Sequence, residues 1–340
     1  MPALNKRNHH QSRIKNHQSK LLMLDYILII VGFVLLIFGA NFLVDGAVGL
    51  AKRFNVPNLI IGLTIVAFGT SAPELVVNLV ATINPDTTDI ALTNIIGSNT
   101  INTFIILGFA ALVYPIKSQI SSRKFDIPVS LAAPIVILLL VWFFNDEVTR
   151  IGGIILLLIF SFFMFVTVRK TLKMRDVSDV QEADTDKPKK LWLSCVLILG
   201  GLLMLVLAGQ IIVNSATKIA ESLGISQAII GLTIVALGTS LPELATSVVA
   251  AMKKNSDIAL GNVIGSNIFN VFFILGISAV IRPLPAYPNM VIDLAMVALG
   301  SLLVLIFVIT NKKYEIKRWE GLLLLCIYAC YLSWLIFNIN

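Results

Sequence analysis

GLTIVAFGTSAPEL at residues 62–75 and GLTIVALGTSLPEL at residues 231–244 are two copies of one stretch, and they differ at only two of fourteen positions. Each copy holds one ionisable residue, Glu74 or Glu243, within an otherwise uncharged run. A carboxylate that is repeated in the same apolar setting predicts a function that needs both copies.

A second pair of matching segments follows the first pair. GSNTIN at residues 97–102 matches GSNIFN at residues 265–270 with an offset of 168 positions, whereas the longer stretch repeats after 169. The chain therefore consists of two related halves, which we place at residues 23–168 and 191–340. Between them, residues 169–190 form a charged, flexible hinge, and residues 1–22 form a disordered basic tail.

The composition indicates a polytopic membrane protein, because 57% of the residues are hydrophobic and only 13% are charged. A helix needs about 20 apolar residues to cross a bilayer. The sequence offers ten such segments, so we predict an all-α membrane protein with ten transmembrane helices. The predicted spans are 24–46, 57–83, 88–113, 126–145, 150–168, 191–214, 225–251, 257–281, 289–310 and 320–338.

Each half contains five predicted spans, which is an odd number. Two homologous halves must then lie in opposite orientations, as in the inverted repeats of secondary transporters, whose substrate sites lie near the bilayer midplane on broken helices. The topology therefore predicts transport before any single residue does.

The distribution of Lys and Arg predicts the orientation in the cell membrane, which is the inner or plasma membrane. If the hinge is cytoplasmic, the inside loops hold eighteen basic residues and the outside loops hold three, with five more in the tail. We therefore expect a cytoplasmic hinge and both termini outside. The basic tail opposes this topology, and one hypothesis is that the protein starts at Met23.

Several other classes of function are disfavoured. The net charge of +7 lies mainly in short loops between apolar segments, so we expect no nucleic-acid partner. The three histidines all precede residue 18, and the three cysteines lack metal-site spacing, so a His-based or thiol metal site and a resident cofactor are not expected. The sequence shows no pairing of a nucleophile with a base, so we do not expect an enzyme. No obligate protein partner is evident, and the lipid bilayer is the expected surrounding.

Small residues recur on the first and sixth spans, where they permit close approach or sliding of helices. They are Gly39, Ala40, Gly46, Ala47 and Gly49 on the first span, and Ala208, Gly209, Ser215 and Ala216 on the sixth.

A proline inside each repeated stretch predicts a helix break. Pro73 and Pro242 each conflict with the carbonyl four residues earlier, on Gly69 and Gly238, so we expect breaks with unpaired carbonyls there. Glutamate at mid-membrane costs about 2.5 to 3.5 kcal/mol on insertion scales, which favours a functional role.

Oxygen donors surround the two glutamates in the sequence. Hydroxyl oxygens come from Thr70, Ser71, Ser98, Thr239, Ser240 and Ser266, and amide oxygens come from Asn102 and Asn270. Oxygen ligands suit Ca²⁺, Mg²⁺, Mn²⁺ or Na⁺. Two carboxylates match the charge of one divalent ion, which indicates Ca²⁺ exchanged for monovalent cations.

The doubled GTSxPE with its paired GSN motifs resembles the two α-repeats of the sodium/calcium exchanger family. Within that family, the chain is most similar to the short prokaryotic members. The resemblance covers the whole ten-span chain. It implies alternating access, with the first and sixth helices sliding across a rigid core. It also implies that Ca²⁺ lies between Glu74 and Glu243 with the carbonyls of Thr70 and Thr239. The implied sodium ligands are the carbonyls of Ala67 and Ala236 and the hydroxyls of Ser71, Ser240, Ser98 and Ser266.

The sequence departs from the family pattern at two places. Thr93 precedes the first GSN motif where the second half has Gly261, so backbone packing is expected to differ there. Asn102 and Asn270 both carry amides, whereas some family members have an aspartate at one of these positions. Two site carboxylates therefore remain, and the sequence leaves the coupling ratio and any potassium dependence open.

Two alternatives to Na⁺/Ca²⁺ exchange stay open at this level. Glutamates also carry protons, so a divalent cation/proton antiporter fits the same scaffold. A passive channel or a non-transporting membrane scaffold is the other alternative, which inverted repeats with broken helices disfavour.

Overall fold

The structure, a computed structural model, describes residues 2–84, 88–175, 190–223 and 236–338; the side chains of 2–22, 88–89, 171–175, 236 and 338 also lie outside the description. In the first half the helices are α1 (Pro2–Phe54), α2 (Asn58–Thr70), α3 (Ala72–Ile83), α4 (Thr88–Ile101, continued by Asn102–Ile106 and Leu107–Val113), α5 (Ser122–Phe143) and α6 (Arg150–Arg175). In the second half they are α7 (Leu191–Ser222), α8 (Ala236–Thr239), α9 (Leu241–Met252), α10 (Ser256–Ile281), α11 (Met290–Thr310) and α12 (Arg318–Asn338).

The fold is that of an all-helical membrane protein. Within the described ranges, eight helices are long and apolar enough to cross a membrane, and the bent pair α2 and α3 makes a ninth candidate. These coincide with nine of the ten predicted spans. The other predicted span, 225–251, is described only from residue 236 onward, where α8 and the apolar α9 lie.

Two helices extend beyond the predicted boundaries. Helix α1 begins at Pro2, so residues 2–22 are helical where we predicted a disordered tail. No proline or glycine occurs between residues 3 and 22, so nothing in that segment breaks the helix. Helix α6 likewise continues to Arg175, seven residues into the predicted hinge. Residues 176–189 of that hinge lie outside the described part.

Four two-residue strands connect the halves in an exchanged pattern. Strand β1 (Ile116–Lys117) pairs antiparallel with β4 (Glu315–Ile316), and β2 (Glu147–Val148) pairs antiparallel with β3 (Leu284–Pro285). Strands β1 and β3 are 168 positions apart, as are β2 and β4. The repeat relation, which maps β1 onto β3 and β2 onto β4, therefore maps the β1–β4 pair onto the β3–β2 pair.

Close helix contacts follow the same exchange. A Cβ on Gly321 of α12 would lie 2.7 Å from the Gly108 carbonyl oxygen of α4. A Cβ on Gly153 of α6 would lie 2.7 Å from the Gly276 carbonyl oxygen of α10. Gly108 and Gly276 are 168 positions apart, and so are Gly153 and Gly321, so equivalent glycines permit equivalent contacts between the halves.

Helices α1 and α7 pack against each other along glycines. A Cβ on Gly201 would lie 2.7 Å from both the Gly39 carbonyl oxygen and the Leu43 amide nitrogen. One on Gly46 would lie 2.8 Å from the Ser194 carbonyl oxygen. Two of the predicted small residues, Gly39 and Gly46, thus mediate the close approach, and Gly201 is the partner that the sequence pattern did not single out.

Candidate functional site

The site is built on two interrupted helices. The chain leaves helical geometry at Ser71 (φ −82°, ψ 8°) between α2 and α3, and at Ser240 (φ −90°, ψ 5°) between α8 and α9. Axes of α2 and α3 differ by 46°. The two breaks have almost the same backbone conformation, as the repeated sequence predicts.

The breaks lie two residues later than we predicted from the prolines. Pro73 and Pro242 occupy the first turn of α3 and α9, where a backbone N–H has no intrahelical partner and proline is well tolerated. The Ser71 N–H donates to the Ala67 carbonyl at 3.0 Å, and Pro73, four residues after Gly69, has no N–H to donate. The Gly69 carbonyl therefore lacks its ordinary helical partner, and its availability to a cation stays a prediction.

Each break places a glutamate in the protein interior. Glu74 in the first turn of α3 is 1% exposed, and Glu243 in the first turn of α9 is 0% exposed. A helix N-terminus carries a partial positive charge, which stabilises a carboxylate in the first turn. Both carboxylates therefore lie where the backbone itself favours negative charge.

The two glutamates are joined through the serines at the breaks. Ser71 Oγ donates to Glu243 Oε1 at 2.9 Å, and Ser240 Oγ donates to Glu74 Oε1 at 3.3 Å. Each serine thus bonds the carboxylate of the opposite repeat. The structure brings Glu74, Glu243, Ser71 and Ser240 into one buried cluster between the halves, as the sequence predicts.

The second oxygen of each carboxylate has no hydrogen-bond partner within the described structure. Glu74 Oε2 and Glu243 Oε2 are both fully buried. Burying an uncompensated carboxylate oxygen is costly, and pairing with a cation compensates it. The ion pairs found among described residues join Lys218 to Asp25 and Lys253 to Asp45, so they compensate other carboxylates.

Two amide oxygens share this property. Asn102 begins a π-helical turn of α4 (Asn102–Ile106), and Asn270 lies in the π-helical turn of α10 (Phe269–Leu275). π-helical turns occur frequently at functional sites. Both residues use their Nδ2 groups in hydrogen bonds, whereas their Oδ1 atoms are buried without a partner. They therefore present acceptors and no donors.

Ser98 and Ser266 on α4 and α10 are also buried, and the Ser266 hydroxyl has no hydrogen-bond partner within the described structure. Ala67 in α2 gives its carbonyl oxygen to the Ser71 N–H at 3.0 Å. Ala236 and Thr239 are the first and last residues of α8, and the side chain of Ala236 lies outside the described part. The Thr239 side chain hydrogen-bonds to the Glu74 carboxylate. For the other four residues, no direct contact with the glutamates is found among the described side chains, and Ala67 reaches Glu243 only through Ser71.

Thr70, the last residue of α2, is linked to α9 through Asn262 of α10. Its hydroxyl lies 3.0 Å from Asn262 Oδ1 on α10 and 3.3 Å from the Ala67 carbonyl oxygen. Asn262 Nδ2 in turn donates to Ser247 Oγ at 2.9 Å and to the Glu243 carbonyl at 3.3 Å. The Thr70 prediction concerned its carbonyl, and the structure adds this side-chain role.

Sequence reasoning missed several of the supporting amides. Asn262 orients Thr70 and Glu243, and Asn99 and Asn267 hold the amides of Asn270 and Asn102. The repeat contained a signal for all three, since Asn99 and Asn267 are the third letters of the GSN motifs. Asn262 likewise matches Asn94 at an offset of 168.

The difference in backbone packing expected at Thr93 stays a prediction, because the structure describes the close contact only at its counterpart, Gly261. A Cβ on Gly261 of α10 would lie 2.8 Å from the Leu59 carbonyl oxygen of α2. Only glycine permits this approach, and the corresponding residue of the first half is Thr93. The counterpart of Leu59, at the repeat offset of 169, is residue 228, and residues 224–235 lie outside the described structure.

Comparison with known proteins places these features in context. The family model described as sodium/calcium exchanger protein matches residues 24–169 and 193–337. A putative antiporter, CaxA of Alkalimonas amylolytica, is 36% identical over 305 residues, which are 86% of this chain and 92% of the relative. The sodium/calcium exchanger MaX1 of Methanosarcina acetivorans is 33% identical over 327 residues, covering 83% and 90% of the two chains.

A solved structure shares the fold. The sodium–calcium exchanger NCX_Mj, from crystals soaked with zero Na⁺ and Ca²⁺, superposes with a TM-score of 0.78 at 32% sequence identity. The match covers 92% of this chain and 99% of that chain.

Proposed function

This chain belongs to the sodium/calcium exchanger protein family, and we propose that it exchanges Ca²⁺ for Na⁺ across the membrane at the site between Glu74 and Glu243. It is a multi-pass membrane protein whose relatives are antiporters and exchangers. The proposed ions are its substrates, and no resident cofactor is invoked.

One observation carries the proposal. Glu74 Oε2, Glu243 Oε2, Asn102 Oδ1 and Asn270 Oδ1 are all buried, all acceptors, and all without a hydrogen-bond partner in the described structure. Ca²⁺ takes six to eight oxygen ligands and tolerates flexible geometry, and two carboxylates neutralise its charge. If these polar residues served only to stabilise the fold, hydrogen-bond donors would be expected next to the four acceptor oxygens.

The sodium ligands are proposed from the family resemblance. They are the carbonyls of Ala67 and Ala236 and the hydroxyls of Ser71, Ser240, Ser98 and Ser266. The hydroxyls of Ser71 and Ser240 donate hydrogen bonds to the carboxylates, so the lone pairs of their oxygens remain available to a cation. Because Ser71 and Ser240 also hydrogen-bond to Glu243 and Glu74, the proposed Na⁺ ligands adjoin the proposed Ca²⁺ site. We propose that the two ions compete for this shared region, which is the requirement for exchange.

The proposed architecture is ten transmembrane helices arranged as two inverted five-helix repeats, at residues 23–168 and 191–340. The exchanged strand pairs and the exchanged glycine contacts support a two-fold relation between the halves. Alternating access would move α1 and α7 together, since glycines join these helices closely. We further propose that the protein lies in the inner or plasma membrane with a cytoplasmic hinge and outside termini.

The test is a gradient exchange assay with purified protein in liposomes. Vesicles loaded with Na⁺ and diluted into Na⁺-free medium containing ⁴⁵Ca²⁺ are expected to accumulate Ca²⁺, and collapsing the Na⁺ gradient is expected to stop uptake. Accumulation driven by a pH gradient alone would replace the proposal with divalent cation/proton antiport. Equilibration without any gradient dependence would indicate a channel.

A further inference from the structure

We propose that Asn99, Asn267 and Thr103 form a polarity lock, a hydrogen-bond network that compels Asn102 and Asn270 to present oxygen to the transported cation. This inference rests on the proposed function and concerns positioning residues that do not themselves touch the ion. It matters because this chain has amides at both positions, and an amide turned by 180° would present NH₂ donors, which a cation repels.

The lock on Asn102 starts from a main-chain carbonyl. Thr103 Oγ1 donates to the Asn99 carbonyl oxygen at 2.9 Å, and a carbonyl can only accept. The Thr103 oxygen therefore accepts from Asn267 Nδ2, at 2.8 Å.

The orientation of Asn267 then determines that of Asn102. With its Nδ2 used on Thr103, Asn267 turns Oδ1 toward Asn102 and accepts from Asn102 Nδ2 at 3.1 Å. The remaining atom, Asn102 Oδ1, is the buried acceptor without a partner.

The lock on Asn270 starts from a second main-chain carbonyl. Asn99 Nδ2 donates to the Asn267 carbonyl oxygen at 3.1 Å, which directs Asn99 Oδ1 toward Asn270. Asn270 Nδ2 donates to that oxygen at 3.0 Å, and Asn270 Oδ1 is left as the partnerless acceptor. Two carbonyl groups thus determine the direction of every amide in the network.

Burial makes the lock effective. The five side chains of the network are between 0% and 1% exposed, so bulk water cannot replace a lost partner. A flipped amide would leave a buried donor or acceptor unsatisfied, at a cost of about 1–3 kcal/mol. Without the lock, the NH₂ of Asn102 could instead turn toward the negatively charged site and compete with the cation.

Thr103→Val tests the first chain of hydrogen bonds with little change of shape. The equivalent residue of the second half, 168 positions later, is Val271, so this fold accommodates valine at the corresponding place. We expect the Kd for Ca²⁺ of the purified full-length protein to rise about tenfold, the effect of one buried hydrogen bond. Thr103→Ser retains the hydroxyl and is expected to restore the wild-type Kd.

Asn99→Ala tests the second chain, with Asn311→Ala as its matched control. Asn311 is a buried asparagine in the loop between α11 and α12, and its amide makes two hydrogen bonds there. We expect about a tenfold rise of the Kd for Ca²⁺ in Asn99→Ala and less than about a twofold change in Asn311→Ala. Both variants lose buried hydrogen bonds, so a purely structural effect would appear in both.

Ca²⁺ binding is measured by equilibrium ⁴⁵Ca²⁺ binding in detergent, and the KM and kcat of exchange are measured in liposomes. The lock predicts a raised KM with kcat nearly unchanged. Wild-type affinity in both Thr103→Val and Asn99→Ala, or a loss in Thr103→Ser equal to that in Thr103→Val, would overturn the lock. Failure of the wild type to exchange Na⁺ for Ca²⁺ would overturn the proposed function, while the binding data would still decide the lock.

Discussion

Replacing Glu74 or Glu243 by glutamine is expected to abolish Na⁺-gradient-driven ⁴⁵Ca²⁺ uptake into liposomes, with a loss of at least about a hundredfold. Glutamine keeps the volume of the side chain but removes one negative charge from a buried site. It also introduces an NH₂ group next to the partnerless acceptor oxygens, where it would donate hydrogen bonds to them and compete with the cation. Charge-assisted contacts in such surroundings are worth about 1.5–3 kcal/mol each, so the loss of one carboxylate charge is expected to weaken Ca²⁺ binding severely.

Glu320→Gln is the matched control for these variants. Glu320 is also buried, but it lies in the first turn of α12 and accepts the backbone N–H of Lys317 at 2.7 Å. Its replacement is expected to leave uptake nearly unchanged. Uptake at the wild-type rate in both Glu74→Gln and Glu243→Gln would show that the ion site lies elsewhere.

Gly201→Ala is expected to destabilise the protein and to lower its exchange rate severely. The added Cβ would lie 2.7 Å from two main-chain atoms of α1, the carbonyl oxygen of Gly39 and the amide nitrogen of Leu43. Backbone atoms cannot rotate away as a side chain can, so α1 and α7 must separate. Overpacking of this kind costs about 1–3 kcal/mol, and it disturbs the helix pair proposed to move during transport.

The adjacent residue supplies the control. Apart from the neighbouring backbone of α7 itself, no described atom lies within 4 Å of a Cβ placed on Gly200, so Gly200→Ala creates no collision there. Alanine is about 1 kcal/mol more favourable than glycine within a helix, so this variant is expected to melt at the same or a higher temperature. Melting temperatures that fall equally in both variants would refute the close contact between α1 and α7.

The sequence was sufficient for the features that depend on local pattern and on repetition. Long apolar runs located nine spans, and Pro73 and Pro242 placed a break in each repeat within two residues of the observed ones. Repetition isolated Glu74 and Glu243, because a carboxylate that appears twice in the same apolar stretch is hard to explain as packing. The serines at the breaks followed from the same stretch.

The remaining site features depend on contacts between residues far apart in the chain. The hydrogen bonds from Asn102 to Asn267 and from Asn270 to Asn99 span 165 and 171 positions, so no local pattern specifies them. Gly201 is another such case, since its role depends on which residue of α1 lies opposite. Helix α1 extends over residues 2–22, where the polar composition favoured disorder and where no helix-breaking residue occurs between residues 3 and 22.

The central claim is that the two partnerless carboxylate oxygens bind one divalent cation together. Difference density from crystals of the wild-type protein grown without Ca²⁺ and then soaked with Ca²⁺ tests it most directly. The account predicts a single ion about 2.3–2.6 Å from both Glu74 Oε2 and Glu243 Oε2. A Ca²⁺ peak that contacts neither carboxylate, or no peak between them at saturating Ca²⁺, would contradict it.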